Sequence, residues 1–97
     1  WYAILSKDVP NSLALRLKER GAHRKRLNAL KIKEDVFAGP FPSTDSEDPG
    51  EEGFSGSLIV AEFNSLQDAV DWADKDPYNL AGVYENFEVK PFIKVLP

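Results

Sequence analysis

One histidine, His23, and no cysteine bound the chemistry open to this 97-residue chain. Disulfides, thiolate nucleophiles and Cys-ligated metals are excluded. A lone imidazole leaves only carboxylates to complete a transition-metal site, so no metal is expected. His23 shares a helical stripe with Leu27 and Leu30, which turns it toward the protein interior. A buried imidazole needs a hydrogen-bond partner, and Asp76, where a second helix stops, is the candidate. A His–Asp pair raises imidazole basicity and fixes its tautomer, as a general base requires. Spacing alone favours a core histidine satisfied by a carbonyl, with Asp76 doing no more than ending its helix.

Other polar groups point to less. Ser6, Ser43, Ser55 and Ser57 lack the context of a nucleophile elbow. Gly50, Gly53 and Gly56 are spaced like part of a phosphate loop, but they precede a strand rather than a helix and read as turn glycines. No motif implies a cofactor.

The elements that must position His23 and Asp76 follow from periodicity. Residues 1–6 read as a buried first strand, stopped by Lys7, Asp8 and Pro10. Asn11 or Ser12 can cap a helical region carrying Leu13, Leu17, His23, Leu27 and Leu30, expected in two pieces with a break at Gly21. Residues 35–42 form a short strand that Pro40 and Pro42 force either to end or to lie at an edge. The acidic stretch 43–53 is a long solvated hairpin loop. Residues 56–63, nearly all apolar, are expected to be central in the sheet. Ser65 caps a helix with an apolar stripe of Leu66, Ala69, Val70 and Ala73, and Asp68, Asp71 and Asp74 outside. Pro77 ends that helix. The last strand spans 83–90, is interrupted at Pro91 and resumes over 92–95. The order is βαββαβ: one α+β, ferredoxin-like domain over residues 1–97, with both helices on one face of an antiparallel sheet. The other face still needs cover, so a homodimer is expected.

A formal net charge of −4 argues against nucleic-acid binding. The cluster Lys18, Arg20, Arg24, Lys25, Arg26, Lys31 and Lys33 alternates with Glu19, Glu34 and Asp35, and reads as a solvated helix surface rather than an anion-attracting rim. The segment Glu52–Ile59 lacks the basic and aromatic residues of an RNA-recognition strand. No apolar run nears the roughly 20 residues that span a bilayer, and no signal-like segment opens the chain, so a cytoplasmic protein with no membrane partner is expected.

The series Ala22-His23, Ala38-Gly39-Pro40, the Asp45–Gly50 loop, Gly53-Phe54-Ser55-Gly56-Ser57, Asp71–Tyr78, Ala81–Glu85 and Val89–Phe92 closely resembles the YciI-like (YCII-related) family, essentially end to end. The resemblance implies a ferredoxin-like protomer in a dimeric α+β barrel, and an active site built on His23 and Asp76, with Gly39, Pro40, Ser57 and Tyr78 lining its pocket. One branch of the family resembles a dehydrochlorinase of chlorinated hydroxyquinols, and related barrels isomerise lactones or oxidise aromatics without a metal. By similarity, the expected activity is proton transfer, as a lyase or isomerase, on a small cyclic or aromatic compound. The competing expectations are a non-catalytic dimer that binds a small metabolite or a protein through the same pocket, and a purely structural dimer.

Overall fold

The computed structural model describes residues 1–31 and 35–97, so Lys33 and Glu34 of the charged cluster fall outside the described residues. The elements are β1 (Tyr2–Asp8), α1 (Leu13–Lys31), β2 (Phe37–Pro42), β3 (Phe54–Ala61), α2 (Leu66–Asp74), α3 (Pro77–Leu80) and β4 (Tyr84–Pro91), with a 3-10 turn at Gly50–Glu52. The strands make one antiparallel sheet in the order β2-β3-β1-β4, a ferredoxin-like α+β fold.

Strand alternation sorts the side chains. In β1, Ile4, Ser6 and Asp8 are buried, while Leu5 and Lys7 are exposed. Ile4 stands opposite Ile59 on one side and Val89 on the other. Ile4, Ile59, Ala61 and Ala73 form the main core, with Leu27, Leu30, Phe63, Trp72 and Phe87 packed on it. A second cluster, Tyr78, Val83 and Tyr84 with Leu15, lies where β1 ends and β4 begins. β3 is central, and β2 lies at the edge, where Pro40 and Pro42 need no outer ladder partner. The face away from the helices exposes Leu5 (36%), Phe37 (76%) and Phe41 (40%).

Several elements differ from the sequence expectation. α1 runs unbroken through Gly21, whose Cβ position meets only open space. A mid-helix glycine costs about 1 kcal/mol, and the buried side chains of Arg16 and His23 anchor the helix on either side of it. Leu17 is 54% exposed, because the inward stripe of α1 runs through Arg16 and His23 instead. Ser65 does cap α2, accepting from the Asp68 N–H at 3.1 Å, but Leu66 is exposed and Ala69 and Ala73 carry the buried face. Asp76 opens a further one-turn helix, α3, in which Pro77 takes the first position that suits proline. β4 ends at Pro91 and residues 92–95 do not resume it. β1 has run out there: the Phe92 N–H donates to the Trp1 carbonyl at 2.8 Å, and no described strand residue lies beyond. Gly50 and Gly53 do sit at turns with positive φ, whereas Gly56 lies inside β3. Among the described residues no helix is long and apolar enough to cross a membrane.

Candidate functional site

α1 and α3 meet on the covered face of the sheet, and there His23 finds Asp76. The imidazole Nδ1 lies 2.8 Å and 2.9 Å from the two carboxylate oxygens. Both residues are buried, with 8% and 2% of their surface exposed. Asp76 is fixed from a second direction, since its Oδ1 accepts the Tyr78 backbone N–H at 2.9 Å as the N-cap of α3. The Tyr78 ring stacks on the imidazole with centroids 4.0 Å apart and planes within 10° of parallel. One turn of helix thus holds the carboxylate and seats the imidazole. With Nδ1 engaged, Nε2 is the nitrogen left for another partner.

His23, Gly39, Pro40, Ser57 and Tyr78 line one cavity of about 150 Å³. Asp76 stands behind His23 rather than in the wall. Arg16, Arg20 and Arg24 complete the α1 side, and Phe54, Leu58 and Ile59 the β3 side. The cationic members were not singled out as site residues by the sequence reading, which placed Arg20 and Arg24 on a solvated surface. Their spacing held the signal: Arg16, Arg20, His23 and Arg24 fall on one stripe of α1.

Arg16 is the most constrained of them. Its Nε donates to Asp8 Oδ2 at 2.6 Å, and its Nη2 donates to Asp8 Oδ1 at 2.8 Å, the Gly56 carbonyl at 3.0 Å and the Ser57 hydroxyl at 2.8 Å. Ser12 also donates to Asp8 Oδ2, at 2.5 Å. The guanidinium lies 5.1 Å from the Tyr78 ring centroid and 5.2 Å from that of Phe54. Burial works against its charge, but the hydrogen bond and attraction from Asp8 outweigh burial and hold its pKa above the ordinary arginine value. The network ties β1, α1 and β3 together directly beneath the cavity. Farther along α1, Arg26 lies over the Trp72 ring at 4.4 Å; burial lowers its pKa, and attraction to Asp76 opposes that.

The Tyr84 hydroxyl is buried; among the described residues it has no partner in full hydrogen-bond geometry, while the Ser57 and Ser6 hydroxyls lie close enough to favour its ionised form. Burial, reinforced by the charge of Asp76, pushes its pKa up to about 12, against the opposing influence of Ser57, Arg16 and Ser6. The folded phenol therefore holds its proton more tightly than the unfolded one, so wild-type stability drains as pH rises from 10.0 toward about 12. Tyr84→Phe is expected to lack this loss and to stay within about 1 kcal/mol of wild type at neutral pH, since the missing hydroxyl has no well-formed hydrogen bond to lose. Urea midpoints on either side of that interval check it; a variant weaker at neutral pH and equally alkali-sensitive would count against it.

Fold and site together define a ferredoxin-like α+β domain with a buried His–Asp pair at the wall of a small, arginine-rich cavity. The chain belongs to the YCII-related domain family, which it matches over residues 1–93. It is 52% identical over 95 residues to Protein YciI of Escherichia coli O6:H1, covering 97% of each chain. An uncharacterized protein of Haemophilus influenzae is 48% identical over 96 residues, covering 98% of each. Among solved structures, the 5-chloro-2-hydroxyhydroquinone dehydrochlorinase of Burkholderia phenoliruptrix, in complex with 2,5-dihydroxybenzoquinone, superposes with a TM-score of 0.81 at 25% identity, covering 95% of this chain and 92% of that one.

Proposed function

We propose that this protein is a metal-independent proton-transfer enzyme, a lyase or isomerase acting on a small cyclic or aromatic compound, with His23 as the base and Asp76 as its orienting partner. The observation that carries the reading is the Nδ1 contact to both Asp76 oxygens, which leaves Nε2 as the nitrogen that takes a proton. Among the described residues the cavity wall supplies one imidazole and no carboxylate or thiol, a donor set poorly suited to a metal. Similarity to a dehydrochlorinase supports the same chemistry: the base removes a proton as the carbon–chlorine bond breaks and chloride leaves. We place the protein in the cytoplasm as a homodimer, its open sheet face, with Leu5, Phe37 and Phe41, covered by a second copy.

The test is chloride release from 5-chloro-2-hydroxyhydroquinone, with binding of 2,5-dihydroxybenzoquinone followed separately by calorimetry. His23→Ala is expected to lower turnover by about 10²–10⁴-fold while the quinone still binds. Quinone binding by wild type with no turnover, and affinity lost in His23→Ala, would instead favour a non-catalytic metabolite-binding module. A substrate unrelated to hydroxyquinols is addressed by the same variant against other small cyclic compounds.

A further inference from the structure

We infer that the ligand of this cavity is a single-ring compound bearing an anionic oxygen group, with that group held between Arg20 and Arg24. The inference rests on reading the cavity as the site of action, and adds the class of compound it takes. A cavity of about 150 Å³ is the size that accepts one benzene-like ring. Pro40, Phe54, Ile59 and Tyr78 offer apolar surface for the body of such a ring.

Charge selects the rest. The chain carries a formal net charge of −4, yet among the described residues the cavity wall holds three arginines and a histidine, and no acid. Two acidic residues stand behind the wall and both are already engaged: Asp8 with Arg16, and Asp76 with His23 and the Tyr78 N–H. Arg16 is therefore neutralised where it stands. Among the described residues, no carboxylate lies within 4.0 Å of the Arg20 or Arg24 guanidinium. These two are four residues apart, so they project from one helix face one turn apart, on either side of His23. Like charges at that spacing destabilise a helix, and an anion between them removes the repulsion. Guanidinium forks match carboxylate-like oxygens geometrically, and a concave wall focuses their field. The placement also serves the proposed reaction, because charge left on the ring when His23 takes a proton develops beside two cations.

Benzoate and its neutral isostere benzamide separate this inference from the proposed chemistry, since neither is turned over and only binding is read. In NMR titrations, benzoate is expected to shift the His23 and Tyr78 ring signals, with benzamide at least about tenfold weaker, in line with the worth of a charge-assisted hydrogen bond. Arg20→Gln/Arg24→Gln should remove that preference, and Arg20→Lys/Arg24→Lys should restore part of it. Neither arginine makes a side-chain hydrogen bond within the described fold, and a thermal melt of each variant confirms that it is folded. Equal binding of benzoate and benzamide, no benzoate binding, or an undiminished preference in the Gln variant would overturn the inference. Chloride release, measured independently, would then still decide the proton-transfer reading.

Discussion

Arg16→Met should cost the domain about 3–5 kcal/mol, the range seen when one partner of a buried ion pair is removed. The loss is a large share of the ~5–15 kcal/mol that holds a domain of this kind together. Side-chain exposure at the pair is 4% for Arg16 and 1% for Asp8, so solvent cannot replace what the guanidinium supplies. Without it, Asp8 keeps only the Ser12 hydroxyl among the described side chains, and the Gly56 carbonyl and Ser57 hydroxyl lose a shared donor. The matching double variant, Asp8→Leu/Arg16→Met, is expected to recover much of the loss, because apolar replacement of both members of a buried pair is often neutral. Urea unfolding of the two single variants and the double variant measures the coupling. A loss under about 1 kcal/mol for Arg16→Met would show that the network contributes little.

Gly56→Ala is the second severe substitution expected. A Cβ at position 56 would drive into the Ser6 carbonyl oxygen and lie 3.3 Å from both the Ser6 carbonyl carbon and the Phe41 Cδ2. The obstacle is backbone in β1, which is paired on both sides by β3 and β4, so no rotamer relieves it. The cost should reach or pass the upper end of the ~1–3 kcal/mol typical of overpacking. Any shift of β3 also moves the Gly56 carbonyl and Ser57 hydroxyl away from Arg16, so ligand affinity should fall together with stability. Gly39→Ala is the control: it lies in a strand of the same sheet with no atom within 4 Å of its added Cβ, and its stability should stay within about 0.5 kcal/mol of wild type. A melting temperature for Gly56→Ala equal to that of Gly39→Ala would contradict the account.

These two positions also mark where sequence reasoning stopped. Gly56 looked like one of three turn glycines because spacing cannot tell a glycine that needs positive φ, as Gly50 and Gly53 do, from one that admits a neighbouring strand. Arg16 went unnoticed because charge on a helix ordinarily faces water. Its burial depends on Asp8 eight residues earlier and on Gly56 and Ser57 about forty residues later. Leu17 misled in the opposite sense: its helical spacing from Leu13 suggested an inward face, but the pair of Arg16 with Asp8 and that of His23 with Asp76 set the rotation of α1 and turned Leu17 outward. The four-residue α3 is too short to carry a periodic signal, and only its Asp-Pro start was visible.

Residue order by itself determined the βαββαβ succession, the central place of β3 and the Ser65 cap of α2, and it narrowed the proline-bearing β2 to ending early or lying at an edge, since alternation, helical period and capping act over a few neighbouring residues. It also marked His23 as inward-facing and Asp76 as its candidate partner. The tertiary structure alone decided that both Asp76 oxygens meet Nδ1, that Tyr78 seats the ring, and that three arginines crowd one small cavity. The reason is physical. Those contacts join residues as far as 53 positions apart, and their geometry is set by how α1 and α3 pack on the sheet, which no local pattern encodes.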